Sequence, residues 1–145
     1  MKKLKCVLLI DDNKATNFLH ETLFEELDVA ERIVIAYNGK DGLEHLDGVA
    51  AGAGDDYPAL ILVDIHMPVM DGFDFLEGYR QRQYTEKFDA LVVMLTTSTN
   101  PRDVDRIEAA GFARYLPKPL AEEHILDLVE KYHNRNRPEI HKNAS

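Results

Sequence analysis

Apolar and polar positions follow two rhythms along this chain. Strand-like segments fill 5–10, 59–63 and 91–95, apolar throughout except for Lys5, with shorter ones at 32–36 and 113–116 that each carry one Arg. Runs of this length, bounded by Pro, Asp, Asn or Gly, read as buried strands of a parallel sheet. Between them, apolar residues recur at helical spacing. Segment 13–27 carries Phe18, Leu19, Leu23 and Leu27, segment 40–49 carries Leu43 and Leu46, and segment 120–133 carries Ile125, Leu126, Leu128 and Val129. Segments 72–83 and 102–110 complete a set of five predicted helices. Asn38-Gly39 breaks the second strand, and 51–56 is a loop by composition. Strict alternation of strand and helix predicts an α/β domain, a parallel sheet covered on both faces, with right-handed crossovers restricting the topology. The domain is expected over 1–133. Segment 134–145 is polar, contains Pro138, has no period, and reads as a disordered tail.

Composition narrows the setting. A chain of 145 residues supports one domain with a sizeable core. A net charge of -9 disfavours direct binding to nucleic acid. The single cysteine, Cys6, excludes an internal disulfide, fits a reducing compartment, and is expected in the core. The basic N-terminus superficially resembles the start of a signal peptide. The apolar stretch after it, 6–10, ends in Asp11-Asp12 and falls short of the roughly 7–15 residues an export signal needs. No run approaches the ~20 apolar residues of a membrane span. The expectation is a cytoplasmic protein without membrane contact.

The chemistry sits at strand ends. Asp64 closes the run 59–63, and Asp11-Asp12 closes the first strand. Carboxyl ends of parallel strands share one edge, where open α/β sheets bind ligands. Thr96 and Lys118 follow the last two strands and join that edge. Clustered carboxylates suit a hard divalent cation such as Mg²⁺. Asp64 is of the type that forms aspartyl phosphates, Thr96 supplies a hydroxyl donor, and Lys118 supplies positive charge for phosphate oxygens. Together they could stabilise an in-line phosphoryl transfer. Singly, each has a plainer reading. Asp11-Asp12 could cap a helix, Asp64 could terminate a strand, Thr96 could be a structural hydroxyl, Lys118 could be solvated, and Tyr115 could be core. His20, His45, His124, His133 and His141 show no ligand spacing and are expected at the surface.

Over about 4–132 the chain resembles the receiver domain of two-component response regulators. The likeness rests on Ile10-Asp11-Asp12, on Asp64-Ile65-His66-Met67-Pro68 with Asp71-Gly72, on Leu95-Thr96, and on Tyr115-Leu116-Pro117-Lys118-Pro119. The resemblance implies a flavodoxin-like doubly wound sheet of order 2-1-3-4-5 with five helices. It implies that Asp64 accepts phosphoryl from a sensor histidine kinase or a histidine phosphotransfer protein. Asp12, Asp64 and the backbone carbonyl of His66 would bind Mg²⁺ or Mn²⁺ directly, with Asp11 acting mainly through a bound water. Lys118 would contact the phosphoryl group. Thr96 and Tyr115 would act as the switch pair, changing how the face formed by 102–110, 113–116 and 120–133 binds a downstream protein. The family's Lys-Pro peptide is usually cis, which Lys118-Pro119 would share.

Thr97 departs from the pattern, since many receivers have Ala or Gly there. His66 and Ser98 stand at positions that tune phosphoryl lifetime in the family, and the Thr97 methyl and His66 ring are expected to slow hydrolysis. The loop at 54–56 is longer than in compact receivers and has no expected catalytic role. The chain resembles stand-alone receivers, among them chemotaxis-type, phosphorelay and phytochrome-kinase-associated regulators, rather than enzymes with a substrate of their own. An aspartate-nucleophile phosphatase of the haloacid dehalogenase type is the alternative. Those enzymes need a second Asp two positions after the nucleophile, where this chain has His66. A receiver-like binding module that works without phosphate is a further alternative. Charges at Asp103, Asp105, Arg106, Glu108, Arg114, Glu122 and Glu123 leave homodimerisation open.

Overall fold

The computed structural model describes residues 2–52, 54–97 and 100–135. In chain order the elements are β1 (Val7–Ile10), α1 (Lys14–Leu27), β2 (Ile33–Ala36), α2 (Gly39–Ala51), β3 (Leu60–Asp64) and α3 (Gly72–Gln81). They continue with α4 (Tyr84–Lys87), β4 (Leu91–Thr96), α5 (Pro101–Ala110), β5 (Ala113–Pro117) and α6 (Glu122–Arg135). The five strands form one sheet in the order β2-β1-β3-β4-β5, every pairing parallel. β1, β3 and β4 are buried throughout, as their continuous apolar runs require when helices cover both faces. The edge strands β2 and β5 are partly exposed.

Successive strand side chains alternate between the two faces and build two cores. Leu8, Ile10, Ile61 and Val63 pack with Phe75, Tyr79 and Ile107 on one side. Val7, Leu9, Leu60 and Leu62 pack with Phe24, Ile125 and Leu128 on the other. Cys6 is buried, as expected.

Three expectations need correction. The described residues contain six helices, one more than expected, because the predicted 72–83 helix stops at Gln81. Gln83 takes a left-handed φ of 61°, and a separate turn of helix follows at Tyr84–Lys87. A four-residue helix is too short to leave a periodic pattern. In α1, Phe18 and Leu19 are 69% and 49% exposed, and the fully buried positions are Asn17, His20 and Phe24. These three lie three and seven residues apart, on one face, and Phe18 points the other way. His20 is therefore core and not surface. α6 reaches Arg135, two residues past the expected boundary at 133, and the rest of the expected tail, 136–145, lies outside the described residues.

Candidate functional site

Register brings the acidic residues together. Ile10 pairs with Val63 and Asp64 pairs with Leu95, so Asp11, one residue beyond β1, stands beside Asp64. The Asp11 N–H donates to the Ala36 carbonyl at 3.1 Å, which continues the ladder past the strand. Asn13, not the Asp pair, caps α1, accepting the Thr16 N–H on its side chain at 3.0 Å. The helix-capping alternative for Asp11-Asp12 is thereby removed. Asp11 instead accepts the Asn13 N–H at 2.9 Å and keeps its other oxygen for the site.

Carboxylate oxygens of Asp11, Asp12 and Asp64 all lie within 4.8 Å of one another. Asp11 and Asp64 are 3% and 5% exposed, whereas Asp12 is open to solvent. This set of hard oxygen donors, close enough to share one ion and open on one side to water, fits Mg²⁺, which keeps several waters when bound by carboxylates. Thr96 closes β4 opposite Pro117, so the next residue of the neighbouring strand, Lys118, arrives at the same edge. The Lys118 N–H donates to the Thr96 carbonyl at 2.9 Å. Its Nζ lies 2.8 Å from Asp11 Oδ2 and 3.4 Å from Asp64 Oδ1. The Lys118-Pro119 peptide is cis.

Burial, and then the neighbouring Asp11 carboxylate, push Asp64 above the ordinary carboxylate range, against the pull of Lys118 and the His66 N–H. Burial also works against the Lys118 ammonium, but its bond to Asp11 and the nearness of Asp64 outweigh this and leave it above the ordinary lysine value. The result is a largely buried carboxylate at a strand end, beside a second buried carboxylate and one ammonium that pairs with both.

The loop after Asp64 is built to lie close to the sheet. Gly72 opens α3, and its N–H donates to the Ile65 carbonyl at 2.9 Å. A Cβ at Gly72 would sit 2.8 Å from Ile65 Cα and 2.9 Å from the Asp64 carbonyl oxygen, so only glycine fits. Asp71 and Asp74 exchange bonds in a capping box that fixes the start of α3. Val69, at the rim, takes a φ of 67° and projects fully into solvent, a strained conformation for a β-branched residue.

The remaining candidates are placed as follows. Thr96 is buried beside the pocket, and Thr97 and His66 are exposed at its rim. Ser98 lies outside the described residues. Tyr115 stands on edge strand β5 with 42% of its surface exposed, which sets aside its reading as a core residue. The 54–56 loop is on the opposite edge of the sheet, where it lines a cleft of about 730 Å³ with Lys2, Lys5, Tyr57, Phe88 and Tyr132. Sequence reasoning passed over Asn17 and His20, because polar residues in a predicted helix read as solvent-facing. Among the described residues, no helix is long and apolar enough to cross a membrane.

A family model described as the response regulator receiver domain matches residues 7–130. The chain is 35% identical over 126 residues to the probable methanogenesis regulatory protein FilR2 of Methanothrix harundinacea, covering 86% of this chain and 79% of that one. It is 33% identical to the sensory/regulatory protein RpfC of Xanthomonas campestris over 85% of this chain but only 16% of that much longer protein. A crystal structure of a two-component response regulator from Cytophaga hutchinsonii superposes with a TM-score of 0.84 at 31% identity, covering 92% of this chain and 99% of the other.

Proposed function

The chain belongs to the response regulator receiver domain family of two-component signalling, and from that premise we propose that it is a phospho-accepting switch whose acceptor is Asp64. The observation that supports this reading is the buried Asp64 carboxylate, within 4.8 Å of Asp11 and Asp12 oxygens and 3.4 Å from the Lys118 ammonium. The donor is a histidine kinase or a phosphotransfer protein. An Asp64 oxygen forms the new P–O bond while the donor's P–N bond breaks, and the electron pair leaves with the donor's imidazole. Lys118 stays protonated and faces the phosphoryl oxygens. Asp12, Asp64 and the His66 backbone carbonyl would hold Mg²⁺, with Asp11 acting through water. Bound there, the ion would supply positive charge to the phosphoryl oxygens.

Phosphorylation adds roughly -1.5 to -2 charges and strong acceptors at Asp64. Thr96 and Lys118 are the groups positioned to answer that charge. Movement of Thr96 toward it vacates space behind, and Tyr115 turns inward from its exposed position on β5. The face of α5, β5 and α6 then changes its affinity for a protein partner, a shift between two pre-existing states. The chain turns over no separate metabolite in this account. Over the described residues the receiver occupies 2–135. Exposed Thr97 and His66 screen the site from attacking water and slow loss of the phosphoryl group.

Intact-protein mass after incubation with Mg²⁺ and acetyl phosphate tests the reading. One phosphoryl adduct is expected in the wild type and none in Asp64→Asn. Equal labelling of the two proteins would place the acceptor elsewhere, and steady release of phosphate from a small-molecule ester would favour an enzyme.

A further inference from the structure

Helix α1 turns two polar side chains toward the sheet, Asn17 and His20, each 1% exposed. A buried polar group without a partner is costly; Asn17 Nδ2 and His20 Nε2 each have a backbone partner just past a strand, while the buried Asn17 Oδ1 has none among the described residues. Asn17 Nδ2 donates to the Asp11 carbonyl at 2.8 Å. His20 Nε2 accepts the Leu120 N–H at 3.3 Å. Leu120 is 4% exposed, so water offers little alternative to that bond.

The position of Leu120 gives the contact its meaning. It stands two residues beyond Lys118, and the intervening Pro119 has no N–H to donate. The segment is therefore tied on its near side by the Lys118 N–H on the Thr96 carbonyl, 2.9 Å, and on its far side by the Leu120 N–H on His20. Between those two points the Lys118 side chain reaches Asp11 and Asp64. One helix face thus holds the backbone of an acidic residue of the pocket and the backbone just past its lysine. Because Nε2 accepts, the ring proton resides on Nδ1.

We propose that His20 is a positioning residue for phosphoryl transfer, fixing Lys118 against Asp11 and Asp64 through the Leu120 N–H. The proposal rests on the phospho-accepting reading of Asp64. It deepens that reading by extending the site through α1 to a residue that touches none of the reacting atoms.

Three proteins test it: wild type, His20→Gln, whose amide oxygen can accept the same bond, and His20→Leu, which has no acceptor. The readouts are the rate of labelling by acetyl phosphate with Mg²⁺ and the exchange protection of the Leu120 amide relative to that of Leu62 in the core. His20→Leu should lose Leu120 protection and be labelled roughly ten-fold more slowly, the scale expected for a slightly misplaced catalytic group. His20→Gln should regain protection and most of the rate. Labelling of His20→Leu at the wild-type rate would overturn the proposal, as would a slow His20→Gln that keeps its Leu120 protection. If no protein is labelled, wild type included, the reading of Asp64 falls instead, and Leu120 protection that is equal in all three would overturn the tether itself. A coupling across the Leu120 N–H to His20 Nε2 bond, measured in ¹⁵N-labelled wild type, needs no variant to fold. Its presence supports the tether and its absence overturns it.

Discussion

Lys118 separates two carboxylates that are both almost fully buried, Asp11 and Asp64. Removing one partner from such a group leaves charge uncompensated in a dry place, which is far more costly than losing an exposed ion pair. Without divalent cation, Lys118→Ala is expected to lose about 3 kcal/mol in urea unfolding, with partial recovery on adding Mg²⁺, since an ion that binds only the folded form stabilises it. Unchanged stability would mean that the lysine does not neutralise the pocket. His20 carries a second prediction. Burial lowers its pKa, Asp11 pulls it up less strongly, and Lys118 adds to the lowering. The unfolded chain therefore takes up a proton, at a pH near the ordinary value of about 6.5, that the folded chain refuses. Stability contributed by neutral His20 is complete above that pH and falls as the pH drops below it, and half-buried His45 acts in the same direction. Denaturant unfolding at pH 7.5 and 5.5 should show a larger loss for wild type than for His20→Gln. Equal losses would contradict a buried neutral imidazole.

At the scale of elements, local signals in the sequence specified most of the architecture. Continuous apolar runs marked β1, β3 and β4, and Asn38-Gly39 marked the end of β2, where Asn38 also caps α2 and accepts the Asp41 N–H at 2.7 Å. Two elements escaped because tertiary contacts decide them. The break after α3 depends on a left-handed Gln83, a choice no pattern announces, and α4 is held by contacts distant in sequence. Asp47 on α2 accepts two bonds from Arg82, at 2.7 and 3.2 Å, and one from the Tyr84 hydroxyl. Asp47→Ala should cost about 1–2 kcal/mol, mostly through the stranded Tyr84 hydroxyl because the Arg82 pair is half-exposed, and should loosen α4 first in hydrogen exchange. A loss confined to α2, with α4 protection intact, would contradict this anchoring role. Arg106 shows the same limit for charges. Exposed on an outer face as its charge suggests, it also lies over the Phe73 ring at 3.7 Å, tying α5 to α3, a contact the charge pattern does not announce.

For the whole molecule, the strand-end placement of Asp11, Asp12, Asp64, Thr96 and Lys118 was legible, since parallel strands deliver their carboxyl ends to one edge whatever the detailed packing. The support behind those residues was not. Asn17 and His20 are polar, their partners are backbone groups, and one partner lies a hundred positions away in sequence. Phosphoryl lifetime belongs to this scale as well, because it depends on loops from separate strands closing over one site. Thr97→Ala and His66→Ala should each speed loss of the phosphoryl group by about two- to five-fold, a barrier change below roughly 1 kcal/mol. Unchanged rates in both would remove them as screens. The account stands most directly on the identity of the phosphorylated atom. Borohydride reduction converts an aspartyl phosphate to homoserine, and peptide mass mapping of the labelled, reduced protein then locates it. Homoserine at position 64 alone is the predicted result. Conversion at Asp11 or Asp12 instead, or label that resists borohydride, would contradict the assignment of Asp64 as the acceptor.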